Sequence, residues 1–143
     1  MPESRSVLVP GRTTPLGAYP HLRIAGDLLF VSGTSARQPD DVVEGTTVGP
    51  DGQITTDIRV QTRAVFANIS AVLAAVDLTL DDVVDITSFL LTMDDFEGYN
   101  EVYAEHFTME HGPARTTIAV HQLPHPHLAI EIKAVAMAGG GGS

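Results

Sequence analysis

The chain has 143 residues, enough for one domain with a core of its own and no need of covalent staples. It has no cysteine, which excludes disulfides, thiolate catalysis and Cys-ligated metals. A formal net charge of −10, with eight scattered basic residues, argues against nucleic acid and anionic membrane as partners.

Lys133 is the single lysine, which argues against a pyridoxal-phosphate enzyme. No apolar run approaches the roughly 18 residues of a membrane span, and Met1–Pro10 lacks the pattern of a signal peptide. A cytoplasmic location is the default expectation.

In chain order, Leu22–Ile24 and Leu28–Ser32 read as a β-hairpin turning at Ala25-Gly26-Asp27. Gly33 to Thr56 is rich in Gly, Pro, Asp and Thr and reads as a long loop, with its clearest turn at Pro50-Asp51-Gly52. Asp57 is placed to cap a helix whose apolar positions are Ile58, Val65, Ile69, Val72, Leu73 and Val76. Asp81 to Met93 suits a buried strand. Asp94 or Asp95 then caps a second helix with Phe96, Tyr99, Tyr103 and Phe107 on one face, ended by Gly112-Pro113. Arg115–His121 and His127–Met137 read as two last strands. Met1–Ala138 contains no repeat or linker and is expected to be one domain; Gly139 to Ser143 reads as a flexible tail or scar.

This order predicts an α+β fold: a mixed sheet with both helices on one face. The opposite face stays bare, which predicts oligomerisation, a symmetric ring being plausible.

Alternation along the strand after Gly112-Pro113-Ala114 puts Arg115, Thr117, Ala119 and His121 on one face. Arg115 is either a surface or salt-bridged arginine or a bidentate clamp for a carboxylate. Glu131, inside the apolar run Ala129–Val135, is either an exposed edge carboxylate near Lys133 or an acid/base group. His121, His125 and His127 lie in a proline-broken segment without metal-ligand spacing, so no metal is expected. His106 and His111 are expected near the C-terminal end of the second helix, meeting its dipole. Tyr19 and Tyr99 read as packing aromatics. There is no phosphate loop, dinucleotide fingerprint or nucleophile elbow.

Several segments, in this order and spacing, resemble the Rid (reactive imine/enamine deaminase, formerly YjgF) family. They are Leu28-Leu29-Phe30-Val31-Ser32-Gly33, Gln61 with Asn68, Phe96–Tyr103, Gly112-Pro113-Ala114-Arg115-Thr116-Thr117, Leu123-Pro124 and Ile130-Glu131-Ile132. The resemblance spans Pro15 to Met137. It implies a chorismate-mutase-like α+β fold, a homotrimer, and sites in the clefts between subunits. It also implies that Arg115 holds the substrate carboxylate, with Tyr19, Ser32, Asn100 and Glu131 as further site residues. Many members carry Cys two residues after the arginine; here it is Thr117.

The runs Ser32–Asp40 and Val120–Pro126 also look like the 2-aminomuconate deaminase subgroup. That resemblance implies cofactor-free hydrolysis of 2-aminomuconate to 4-oxalocrotonate and ammonia. Arg115 would hold one carboxylate, Glu131 would position or deprotonate water, and His121 would shuttle protons. Arg37 is the expected partner of the second carboxylate. The alternatives are a general 2-imino-acid deaminase and a non-catalytic carboxylate-binding or chaperone-like protein.

Overall fold

A computed structural model describes residues 3–139. A six-stranded mixed sheet is built from β1 (Ser4–Val7), β2 (Leu22–Ala25), β3 (Leu28–Thr34), β6 (Val83–Leu90), β7 (Ala114–Ala119) and β8 (Ile130–Met137), in the order β1-β2-β3-β8-β6-β7. Only the β6–β7 pair is parallel. A separate hairpin, β4 (Thr46–Val48) with β5 (Ile54–Thr56), stands beside it. Helices α1 (Ile58–Ala74) and α2 (Phe96–Tyr103) pack on each other over one sheet face. This is the expected α+β arrangement.

Local rules explain most of these elements. The β2–β3 hairpin turns at Gly26, whose φ of 62° is open to glycine at little cost. The Asp57 carboxylate accepts from the backbone N–H groups of Arg59 and Val60 at 3.0 and 3.2 Å, so α1 starts where expected. The face of α1 bearing Val65, Ile69, Val72 and Leu73 buries against Leu29, Val31, Ile130 and Ile132 from the sheet. Each such side chain contributes roughly 1.5–3 kcal/mol when fully buried. Gly98 lets the helices approach closely: a Cβ there would lie 2.7 Å from Ile58 Cγ2.

Several boundaries differ from expectation. The polar strand β1 lacks an apolar pattern; it forms because it pairs with β2, and Arg23 bonds the hydroxyls of Ser4 and Ser6 across the two strands. The loop expected over 33–56 contains β4 and β5, whose residues are largely exposed and carry no burial signal. β6 is shorter than Asp81–Met93, because 3₁₀ turns form at Leu80–Asp82 and Met93–Asp95. Thr79 and Thr92 cap those turns, so neither Asp94 nor Asp95 caps α2 through its side chain.

α2 ends at Tyr103 rather than at Gly112-Pro113. Phe107 leaves the helix axis to pack edge-on against Phe66, and Thr108 begins a new turn closed by Gly112 N–H. His106 therefore follows the helix and stacks near Phe66 at 4.9 Å, and His111 is exposed beside Glu110. β8 starts at Ile130 because the residues before it bond to α1 instead. Fully buried Gln61 donates through Nε2 to His127 O and Thr46 Oγ1, and its Oε1 accepts from Ala129 N–H.

The face of the sheet away from the helices carries Leu28, Phe30, Ile118 and Met137, which are 36–43% exposed. Of the expected tail, only Gly139 falls within the described residues.

Candidate functional site

A half-open cleft lies where β3 loses its regular pairing with β8. Val31 pairs with Ala134 but Thr34 pairs with Ile132, so β3 holds one extra residue in a bulge around Ser32 and Gly33. Ser32, Gly33 and Ser35 form one wall of the cleft and Glu131 of β8 its floor. Arg12, Thr13, Tyr19 and His21 come from the segment linking β1 to β2. Asn68 and Val72 of α1, with Pro124 and Leu128, close it.

Hydrogen bonds hold these walls. Ser32 Oγ donates to Pro20 O at 2.8 Å, joining β3 to the end of the N-terminal segment. Asn68 Nδ2 donates to Ser35 O at 2.9 Å, fixing the chain after the bulge. His21 Nδ1 accepts from Val9 N–H at 2.9 Å, and its Nε2 lies 2.8 Å from Thr13 O. These partners specify the neutral tautomer with the proton on Nε2. Tyr19 is 45% exposed at the rim, and its hydroxyl accepts from Leu16 N–H at 3.3 Å. It is not the packing aromatic expected from sequence, whereas Tyr99 is fully buried and bonds Ser88.

Glu131 is half-buried and has no ion-pair or hydrogen-bond partner for its carboxylate among the described residues. Burial without a cation disfavours the charged form, so its carboxyl titrates above the usual range. The carboxylate lies against Gly33, where a Cβ would come within 2.9 Å of Oε2. Only glycine leaves that carboxylate in place.

Arg37 lines the same cleft, but its guanidinium is occupied. Nη1 donates to Asp41 at 3.0 Å and Nη2 to Thr14 O, and the side chain is only 11% exposed. It ties the loop after β3 to the N-terminal segment.

Arg115, Thr117, Asn100 and His121 do not reach this cleft. Arg115 pairs with Ile86 across β7 and β6 and shares its helix-side face. Its guanidinium carbon lies 4.6 Å from the Tyr103 ring centre, 5.0 Å from Tyr99 and 5.8 Å from Phe96. Burial pushes the Tyr103 hydroxyl up to about 12, so the ring stays a neutral support. Asn100 sits on α2 among these aromatics. Thr117 Oγ1 is buried with no partner among the described residues. β7 stops at Ala119, so the strand face shared with Arg115 does not extend to His121, which is exposed.

Glu131 pairs with Phe89 on the opposite sheet face, so Arg115 and Glu131 of one chain are separated by the sheet. His125 Nδ1 accepts from His127 N–H at 3.1 Å. No three His, Asp or Glu side chains converge as a possible metal site among the described residues. Arg12 and His21 were not singled out from sequence, and nothing in their local pattern marks them. Gln61 and Asn68 carry a usable signal: polar residues at helical spacing on the apolar face of α1.

A family model described as Endoribonuclease L-PSP matches residues 11–138. The chain belongs to the Rid family. A RutC family protein of Pyrococcus horikoshii is 40% identical to this Rid-family chain over 124 residues, 85% of the chain and 88% of that relative. The crystal structure of the yeast protein YEO7 matches with a TM-score of 0.80 at 29% identity, covering 94% of this chain and 98% of the yeast one. The structure of E. coli TdcF with bound serine matches with a TM-score of 0.74 at 27% identity, covering 93% and 98% of the two chains.

Proposed function

We propose that this Rid-family protein is a cofactor-independent deaminase of enamines and imines, with 2-aminomuconate as its preferred substrate, working in clefts between the copies of a homotrimer. The observation that carries the reading is Glu131: a half-buried carboxyl, without a cationic partner among the described residues, at the floor of a cleft. Burial favours the protonated form of such a group, which suits one that gives a proton and takes it back. Arg115 supports the same reading from the other side. It is an arginine held over aromatic rings, on the strand face it shares with the Thr117 hydroxyl, and neither has a polar partner among the described residues. Together these groups suit a substrate carboxylate. One sheet separates them in a single chain, so this reading requires the cleft of one copy to meet Arg115 of another, and burial of the bare face would supply a contact between copies. TdcF binds serine, a small molecule with a carboxylate.

Protonation of the enamine carbon gives an iminium. Water adds at its carbon, a proton moves to nitrogen, and ammonia leaves as the ketone forms. For 2-aminomuconate the products are 4-oxalocrotonate and ammonia. Glu131 donates the proton to carbon and, once ionised, takes one from water; Arg115 holds the adjacent carboxylate. His121 is exposed beyond the end of β7, off the strand face that carries Arg115, and the proton work is assigned to Glu131. Tyr19 and Ser32 shape the cleft wall. Asn100 and Thr117 accompany Arg115.

Preference for 2-aminomuconate rests on the sequence resemblance of Ser32–Asp40 and Val120–Pro126. A broader 2-imino-acid deaminase is favoured by one observation: Arg37, the expected partner of a second carboxylate, is already bonded to Asp41 and Thr14. The test measures ammonia release from 2-aminomuconate and from 2-iminopropanoate, each generated enzymatically in the assay. Release faster than in buffer, reduced roughly 100-fold or more in Arg115→Lys, is the expected result, because lysine keeps the charge and loses the planar fork. No acceleration with either substrate, or wild-type rates in a folded Arg115→Lys protein, overturns the reading.

A further inference from the structure

We propose that Arg12 is the residue that recognises the distal carboxylate of a dicarboxylate substrate, an assignment that deepens the deaminase reading above and rests on it for the reacting end of the molecule. The argument begins with the arginines. Arg5 pairs with Glu3, Arg59 with Glu101 and Arg63 with Glu105. Arg23 is taken up by Ser4 and Ser6, and Arg37 by Asp41 and Thr14. Among the described residues, two guanidinium groups remain without a hydrogen-bonding partner: Arg115, on the helix side of the sheet, and Arg12, which lines the cleft.

Arg12 is half-buried in a segment that the rest of the cleft holds in place. Its own N–H bonds Val9 O at 3.3 Å, and its neighbour Thr13 donates from Oγ1 to Arg37 O at 2.9 Å. His21 bonds the backbone on both sides of Arg12, at Val9 and at Thr13. The arginine is thus presented by an anchored backbone, which lowers the entropy of ordering it around a ligand.

The other basic residues of the cleft are committed. Both nitrogens of His21 are used by backbone groups, and Arg37 is bonded at both ends of its fork. Among the described residues Glu131 is the one acidic residue lining the cleft, and it forms no ion pair with Arg12. The two reach the cleft from different parts of the chain, Arg12 from the segment linking β1 to β2 and Glu131 from β8. A molecule with its reacting carbon at Glu131 and a second anionic group would find Arg12 as the available cation. In a chain of net charge −10, a desolvated distal carboxylate without such a partner would be repelled.

The experiment titrates the full chain calorimetrically with trans,trans-muconate and with sorbate, the same six-carbon diene with one carboxylate fewer. The wild-type protein is expected to bind muconate roughly 10- to 100-fold more tightly than sorbate, the worth of one charge-assisted pair. Arg12→Gln should abolish that preference, and Arg12→Lys should retain part of it. Equal affinity for the two ligands, no detectable muconate binding, or a preference that survives Arg12→Gln overturns the assignment. Ammonia release is measured on the same samples. A muconate preference lost in Arg12→Gln, without deamination by the wild type, supports Arg12 and removes the deaminase reading. Deamination without a muconate preference removes Arg12 and leaves that reading intact.

Discussion

Glu131 carries a charge that its surroundings disfavour. Its neighbours Ile130 and Ile132 are fully buried, and among the described residues no cation pairs with it. A carboxyl whose folded pKa is raised favours folding while it is protonated, and that advantage is lost as pH rises through the folded pKa. Glu131→Gln mimics the protonated form. Its melting temperature should therefore exceed that of the wild type above the raised pKa, and the gain should fade as pH falls through it. The same variant should lose about 10²- to 10⁴-fold in ammonia release, since a positioned acid or base supplies a factor of that order. A variant that is no more stable at pH 8 than at pH 4, relative to wild type, would show that burial does not disfavour the carboxylate. Gly33 belongs to the same local problem. Gly33→Ala places a methyl group where the carboxylate sits, so the turnover rate should fall while the far-UV circular dichroism stays unchanged. Undiminished turnover in that variant would mean that the position of Glu131 is not critical.

At the scale of elements, α1 does more than fill the core. Gln61 and Asn68 project from its buried side and hold irregular backbone that the sheet cannot satisfy. Gln61 bonds the hairpin β4–β5 and the residues before β8; Asn68 bonds the chain after the bulge in β3. Gln61→Leu has similar volume and would strand the Ala129 N–H, while the His127 carbonyl keeps the Thr46 hydroxyl at 3.1 Å. Chemical denaturation should show a loss of roughly 1–3 kcal/mol, the cost of leaving one such group without a partner. A loss below about 0.5 kcal/mol would indicate that water replaces the amide, as surface groups commonly allow. By contrast the Arg59–Glu101 and Arg63–Glu105 pairs between α1 and α2 are exposed, and such pairs contribute little.

For the whole molecule, two facts point to one arrangement. One sheet face is covered by helices and the other carries Leu28, Phe30, Ile118 and Met137 toward solvent. The residues proposed to handle substrate are divided between those faces, Arg115 on one and Glu131 on the other. An assembly that buries the bare face accounts for the first and provides a means to unite the second. Light scattering should give three times the chain mass. Phe30→Lys, which places a charge in the middle of the bare face, should dissociate the assembly and abolish turnover while each chain stays folded. A monomer that retains full activity would contradict the proposed cleft between copies.

The parts whose cause is local could be read along the chain. Periodic apolar residues marked α1 and the buried strands, Asp57 marked the start of α1, and Gly26 marked the hairpin, because caps, turns and amphipathic faces are set by neighbours within a few positions. The family was legible for a related reason: its segments keep their order and spacing along the chain. Tertiary structure alone decided what depends on distant neighbours. Strands β1, β4 and β5 have no burial pattern and exist through pairing. The cleft draws on Arg12, Gly33, Asn68 and Glu131, which come together only through the bulge in β3 and the packing of α1. Whether an arginine is a staple or an available cation is likewise invisible in one dimension. Arg37 and Arg12 look alike as loop residues, and only folding brings Asp41 and Thr14 to the first while leaving the second without a partner among the described residues.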